Sequence, residues 1–230
     1  SVILRILMKI LPFSKERKFK IVGKAMSIFQ YSVLRLKTTD KNKLINLPKD
    51  DFKKQAIIIA NHTSFLDTLA IGMYNPNIVF LINDWVYNSP IFGRAVRAAG
   101  FFPVSQGLDG NLDNLKERIG TDFSLMIFPE GTRSYSNEMM RFHKGAFYLA
   151  EQLNLDILPI YIQGNSEIIP KNDFIIYDGQ IIDYVDERIA PNDKKFGIGY
   201  AERTKKISKY CKTKFDQIRL ELEDENYFKQ

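Results

Sequence analysis

Ala56-Ile57-Ile58-Ile59-Ala60 is the stretch from which the fold reads outward. Three isoleucines between alanines, with no polar alternation, form the pattern of a strand buried on both faces. Asn61-His62 follows directly, and Thr63 or Ser64 is placed to cap a helix continuing through Leu69, Ile71 and Met73. Further apolar runs occur at Ile78 to Ile82, Phe101 to Val104, Phe123 to Phe128 and Ile157 to Ile162. Helical spacings separate them: one helix opened by Pro90 and ended by Gly100, then Asp109 to Ile119, then Lys144 to Leu153. Phe174 to Tyr177 and Gln180 to Ile182 flank Asp178-Gly179, a hairpin signal. Ala201, Thr204, Ser208, Cys211, Phe215, Ile218 and Leu222 predict a long C-terminal amphipathic helix. Strands alternating with helices predict an α/β fold with a mixed, largely parallel central sheet flanked by helices. In such sheets, sites gather at the carboxyl ends of strands.

The chain has 230 residues, 45% hydrophobic and 26% charged, which is enough for one sizeable core. No Pro/Gly/Ser-rich linker, repeat or low-complexity tract divides it. Cys211 is the only cysteine, which excludes an internal disulfide and fits a reducing, cytoplasmic-side setting. With His62 and His143 the only histidines, no zinc site is expected. No uninterrupted apolar run reaches the roughly 18 residues of a transmembrane helix. The chain begins at Ser1 rather than Met, so the lack of a leader carries little weight.

The net charge of +6 is unevenly spread. Residues 1–37 hold nine Lys and Arg against Glu16 alone, a net of +8, which leaves −2 for residues 38–230. Residues 2–11 are mostly aliphatic, with Arg5 and Lys9 four apart on one helical face. After Pro12, a second helix is expected from Lys18 to Lys37, with Ile21, Val22, Met26, Phe29, Val33 and Leu36 at helical spacing. An apolar face flanked by cations suits the headgroup boundary of an anionic membrane. Two ordinary amphipathic helices packed on the core would carry the same pattern. Nucleic acid is not expected as a partner, because the cations interleave with aliphatics instead of stacking aromatics. The expected organisation is an amphipathic, helical membrane-docking segment at 1–37 and a catalytic domain at 38–230.

Two strand-end loops carry chemistry. Asp67 lies five residues after His62, close enough to fold back under the imidazole. A carboxylate so placed fixes the tautomer and stabilises the imidazolium that forms when the ring takes a proton. A histidine so held can deprotonate a hydroxyl or amine. The spacing also suits a loop histidine that merely caps the next helix. Asn61-His62-Thr63 matches a glycosylation acceptor too, but a strand end in a cysteine-poor chain is a poor place for one. The second loop is Phe128-Pro129-Glu130-Gly131-Thr132-Arg133-Ser134. Pro129 stiffens the exit, Gly131 permits a tight turn, and Arg133 offers a planar fork for a phosphate or carboxylate. A surface turn with a Glu130–Arg133 ion pair is the simpler alternative.

Together these motifs resemble the glycerolipid acyltransferases typified by 1-acylglycerol-3-phosphate acyltransferase. Asn61 to Asp67 is similar to that family's Asn-His-x-Ser-x-x-Asp, and Phe128 to Ser134 to its Phe-Pro-Glu-Gly-Thr-Arg-Ser. Pro90 to Gly93 with Gly100 to Val104, Phe142 to Ala146, and Leu158-Pro159-Ile160 resemble its other blocks, so the likeness spans roughly 56–183. The resemblance implies transfer of an acyl chain from a thioester of coenzyme A or acyl carrier protein to a lipid hydroxyl. His62 would be the general base and Asp67 its orienter. Glu130, Gly131, Thr132 and Arg133, with Lys144, would bind the acceptor. No resident cofactor or metal is implied; the acyl-CoA or acyl carrier protein is a co-substrate. Membrane lipids are the expected partners, at the cytoplasmic face of a membrane, with peripheral or monotopic attachment. Direct attack on the thioester agrees with the absence of a Gly-x-Ser-x-Gly elbow and with Cys211 lying far along a helix.

Two positions depart from the pattern. The family's second block commonly carries a Lys and an Arg, where this chain has Asn83 and Gln106. Losing two charge-assisted partners would weaken phosphate binding by roughly 1.5–3 kcal/mol each. Either Arg94, Arg97 or Lys144 substitutes, or the acceptor lacks a phosphomonoester and is an amino-acid lipid, glycolipid or phenolic lipid. A catalytically idle membrane-binding module is the alternative from another class, and the intact His62, Asp67, Glu130 and Arg133 argue against it.

Overall fold

The computed structural model describes residues 52–224 except 91–92, 99, 106–111, 121, 137, 170–176 and 178, and before them Arg17, 20–25, Ser27, Ile28, Ser32 and Lys43–Ile45. Among these residues the strands are β1 (Lys43–Ile45), β2 (Ile57–Ala60), β3 (Ile78–Ile82), β4 (Phe102–Pro103), β5 (Ser124–Ile127), β6 (Ile157–Gln163) and β7 (Ile182–Val185). They form one seven-stranded sheet in the order β1-β7-β6-β2-β5-β3-β4. Every neighbouring pair is parallel except β6 with β7. The expected mixed, largely parallel sheet is therefore present.

Parallel neighbours need crossovers, and helices supply most of them. These are α1 (Leu66–Gly72), α2 (Asp84–Tyr87), α3 (Gly93–Ala98), α4 (Leu112–Ile119), α5 (Gly145–Leu153), α6 (Asn165–Ile168) and α7 (Gly199–Asp224). Because side chains alternate along a strand, each strand feeds two cores. Ile57, Ile59, Val79, Leu81, Leu125 and Ile127 pack on one face with residues of α4, α5 and α7. Ile58, Ala60, Ile78, Phe80 and Met126 pack on the other with Leu66, Ala70 and Ile71 of α1. This double burial explains the unbroken apolar runs of the central strands.

Three local expectations need correction. Neither Thr63 nor Ser64 is the cap of α1: the cap position is Phe65, with no side-chain cap bond. The hairpin signal at Asp178-Gly179 falls largely outside the described residues. The strand found there, β7, starts at Ile182, later than expected, and pairs antiparallel with β6. In α7 the buried stripe runs through Thr204, Ile207, Cys211, Phe215, Ile218 and Leu222, while Ala201 is exposed and Ser208 half-buried. The stripe therefore keeps its expected members except Ala201 and Ser208, with Ile207 buried in place of Ser208.

Most of the 1–37 segment lies outside the described residues, including Arg5, Lys9, Met26, Phe29 and Val33. Its described members, from Arg17 to Ser32, are helical. Val22 is buried, and Ser27 Oγ donates to the Gly72 carbonyl at 2.7 Å, tying this stretch to the end of α1. No helix of the described residues is long and apolar enough to cross a membrane.

Phe215 is 1% exposed in the core between α7 and the sheet. Phe215→Ala should lower unfolding stability by about 3–5 kcal/mol. Urea unfolding should show this as a reduced midpoint with an unchanged slope.

Candidate active site

The sheet order brings the functional loops together. β2 lies between β5 and β6 and parallel to both, with Ile59 opposite Ile127 and Ala60 opposite Ile160. The carboxyl ends of the three strands therefore finish on one edge, and β3, parallel to β5, joins them. His62 leaves β2, Glu130 leaves β5, Asn165 leaves β6, and Asn83 leaves β3.

His62 Nδ1 lies 2.9 Å from Asp67 Oδ2. The same oxygen accepts from the backbone N–H of Thr63 at 2.7 Å and of Ser64 at 2.9 Å. Its partner Oδ1 accepts from Asn165 Nδ2 at 2.8 Å. A carboxylate only accepts, so Nδ1 carries the ring proton and Nε2 is left with its lone pair. Asp67 has no exposure, whereas the His62 side chain keeps 18%. The His62 ring stacks on Phe128, centroids 4.0 Å apart and planes 13° apart. One face of the ring is thus covered and its rotation blocked, while an edge stays accessible.

Side chains missed in the sequence reading complete this frame. The Asn61 amide bonds both ways to the Ile162 backbone, Nδ2 donating at 2.9 Å and Oδ1 accepting at 2.7 Å. Ser64 Oγ donates to the Ile169 carbonyl at 2.9 Å. The turn that delivers Asn165 requires Gly164, whose φ is +86°. Asn61 and Ser64 stood inside the quoted motif, but their partners lie about a hundred residues away in the chain.

Glu130 is buried, and its two oxygens accept from backbone N–H groups: Oε1 from His62 at 3.0 Å and Oε2 from Met140 at 3.0 Å. The Ser134 N–H in turn donates to the His62 carbonyl at 2.7 Å. These bonds knit the β5 loop to the His62 backbone on both sides. Gly131 (φ +70°) sits with the His143 ring against it, 3.2 Å from where a Cβ would stand. His143 is exposed, and its backbone N–H donates to the Pro129 carbonyl at 2.7 Å. Thr132 and Lys144 are exposed and Arg133 is half-buried. Asn83 is exposed, with Nδ2 3.5 Å from the Gly131 carbonyl. Arg97 stacks over the Tyr87 ring and donates to the Tyr87 carbonyl. Gln106 lies outside the described residues.

Burial pushes the Glu130 carboxyl up to about 7; its two N–H partners oppose this and the negative Asp67 adds to it. An acid raised on folding holds its proton in the folded chain at pH values where the unfolded chain has lost it. Stability then falls as pH rises from the ordinary carboxyl value of 4.5 to about 7. Across that window the wild type should lose stability relative to Glu130→Gln by roughly 1.4 kcal/mol per pH unit. Urea unfolding of both proteins at several pH values checks this.

The same segments are what comparison with other proteins picks out. A sequence model described as Acyltransferase matches residues 35–163. The chloroplastic 1-acyl-sn-glycerol-3-phosphate acyltransferase of Arabidopsis thaliana is 33% identical over 132 residues, covering 55% of this chain and 36% of its own length. The 1-acyl-sn-glycerol-3-phosphate acyltransferase of Saccharomyces cerevisiae is 32% identical over 128 residues, covering 51% of this chain and 41% of its own. The matches thus span about two-fifths of the length of these relatives. The crystal structure of the 1-acyl-sn-glycerophosphate acyltransferase PlsC from Thermotoga maritima shares the fold, with a TM-score of 0.73 at 20% identity over 95% of this chain and 88% of that one. The matched span runs from before β2 to the end of β6 and so contains His62, Asp67 and the Glu130–Arg133 loop: the chain belongs to the Acyltransferase family.

Proposed function

We propose that this chain transfers a fatty acyl group from a thioester to the free hydroxyl of a lysophosphatidic-acid-like acceptor. The observation that carries the proposal is the His62–Asp67 pair, with Nδ1 held at 2.9 Å and the ring partly open to solvent. His62 Nε2 takes the proton of the acceptor hydroxyl as its oxygen attacks the thioester carbonyl carbon. The C–S bond breaks, and the imidazolium returns the proton to the departing thiolate. Buried Asp67 stabilises the imidazolium in between. Either acyl-CoA or acyl carrier protein would serve as donor.

The acceptor would lie over the β5 loop. Arg133 and Lys144 provide cations there, with the backbone of Gly131 and Thr132 beside them. In this reading Glu130 contributes by fixing the loop to His62 rather than by touching the acceptor, since both its oxygens already hold N–H groups. One observation favours a second acceptor class. Neutral Asn83 stands at the Gly131 carbonyl, where the resemblance leads one to expect a lysine, and this suits an acceptor without a phosphomonoester.

The reaction would take place at a membrane surface, with residues 1–37 docking through their aliphatic face and cations. Three exposed aromatics, Phe65, Trp85 and Tyr135, adjoin the site along the chain and suit a lipid boundary. Attachment would be peripheral or monotopic, on the cytoplasmic side.

Thiol release from acyl-CoA and acyl-carrier-protein donors, measured across an acceptor panel, tests the reaction. Lysophosphatidic acid should be turned over, and His62→Ala should lose at least about 1,000-fold in kcat. Near-normal turnover by folded His62→Ala would overturn the mechanism. Turnover confined to lysolipids without a phosphomonoester would select the second acceptor class. For docking, replacing Arg5, Lys9, Lys15 and Lys18 with Gln should weaken binding to anionic vesicles and spare turnover of detergent-dispersed substrate. Unchanged vesicle binding would refute the role of this segment.

A further inference from the structure

Asp67 is held from two directions, and only one of them belongs to its own motif. Three donors, the His62 ring and the N–H groups of Thr63 and Ser64, all converge on Oδ2. Oδ1 accepts from the amide of Asn165, 98 residues further along the chain. Asn165 has no exposure. Its acceptor atom Oδ1, also buried, has no hydrogen-bond partner among the described residues. An unsatisfied buried acceptor is unfavourable, so filling space does not account for an amide at this position. The donor half of the amide is the half in use, and it is aimed at the carboxylate that orients the base.

Position supports the same conclusion. Asn165 is the first residue of α6, delivered by the left-handed Gly164 directly after β6. Ile162 in β6 and Ile169 just after α6 likewise bind Asn61 and Ser64, on either side of His62. These anchors make the placement of Asn165 Nδ2 against Asp67 a rigid consequence of the sheet.

We infer that Asn165 is a positioning residue for acyl transfer, holding the free oxygen of Asp67 so that the other oxygen stays on His62 Nδ1. The working unit is then His62, Asp67 and Asn165, contributed by the ends of β2 and β6. Asn165 touches neither substrate. It sets the orientation of the carboxylate, and through it the direction of the His62 lone pair. The inference rests on the assignment of His62 as base.

The test uses the full chain with whichever donor and acceptor give turnover in the panel above. Asn165→Leu keeps the branching and the number of side-chain heavy atoms and removes the donor. Its kcat should fall by about 10- to 100-fold, the effect of one hydrogen bond to a charged group, with KM for both substrates within about twofold of wild type. Asn165→Asp supplies the readout that a purely structural role would not move. As a carboxylate it repels Asp67, and as the protonated acid it again donates to Oδ1. Its kcat relative to wild type should therefore rise as pH falls, whereas the ratio for Asn165→Leu should stay flat. If Asn165→Leu does not fold, the Asp variant alone decides. Wild-type kcat in either folded variant at neutral pH, or a pH-independent ratio for Asn165→Asp, would overturn the inference. An inactive His62→Ala beside a fully active Asn165→Leu would remove this inference alone. An active His62→Ala would remove the assignment of the base itself.

Discussion

A carboxylate shut away from water must be given donors, and around Asp67 that requirement organises the local chain. Four N–H groups meet it: one from an imidazole, two from the backbone just before it, and one from an amide on another loop. The two backbone bonds fold residues 62–67 into a tight turn ahead of α1. That turn brings the His62 ring back over the carboxylate. The amide then joins the turn to the loop after β6. Removing the charge would leave these donors unpaired in the interior, so site geometry and local stability depend on the same group.

The arrangement is possible because the sheet is parallel where it matters. Strands β6, β2, β5 and β3 run side by side in one direction, so their carboxyl ends form a single row. Four loops far apart in sequence therefore open at one edge, as expected of open α/β sheets. The helices hold the strands in that order by burying both faces, through Phe147 and Phe215 on one side and Ile71 on the other. The antiparallel β7 lies beyond β6 and leaves the row undisturbed.

What could be read from the sequence follows the range of each interaction. The Ala56–Ala60 and Phe123–Phe128 runs betray buried strands because burial on both faces leaves Ser124 as their only polar residue. The His62–Asp67 pair is legible because its contact closes within five residues. Asn165 was not legible, because its bond to Asp67 crosses 98 residues and leaves no local pattern. The role of Glu130 was obscured for a similar reason. In sequence it stands near Arg133, while its carboxyl groups with N–H donors from His62, 68 residues away, and Met140. The cap of α1 falls one residue later than Ser64, at Phe65; Ser64 Oγ still accepts from the Leu66 N–H at 3.3 Å, while its hydroxyl donates to the Ile169 carbonyl. In α7 the entry through Ile207 rather than Ser208 shows that packing against the sheet, not spacing alone, sets the buried stripe.

Two buried carboxyls lie close to His62, and the donors divide unequally between them. Asp67 receives four, Glu130 two. Placing full negative charge on both would set like charges together in a poorly solvated site. Burial, with a smaller push from the neighbouring Asp67, raises Glu130 to about 7 against the pull of its two N–H partners. A neutral Glu130 still bridges the β2 and β5 loops through its oxygens. The acid that faces the ring is the one supplied with four donors, and the acid that ties the loops together is left with two.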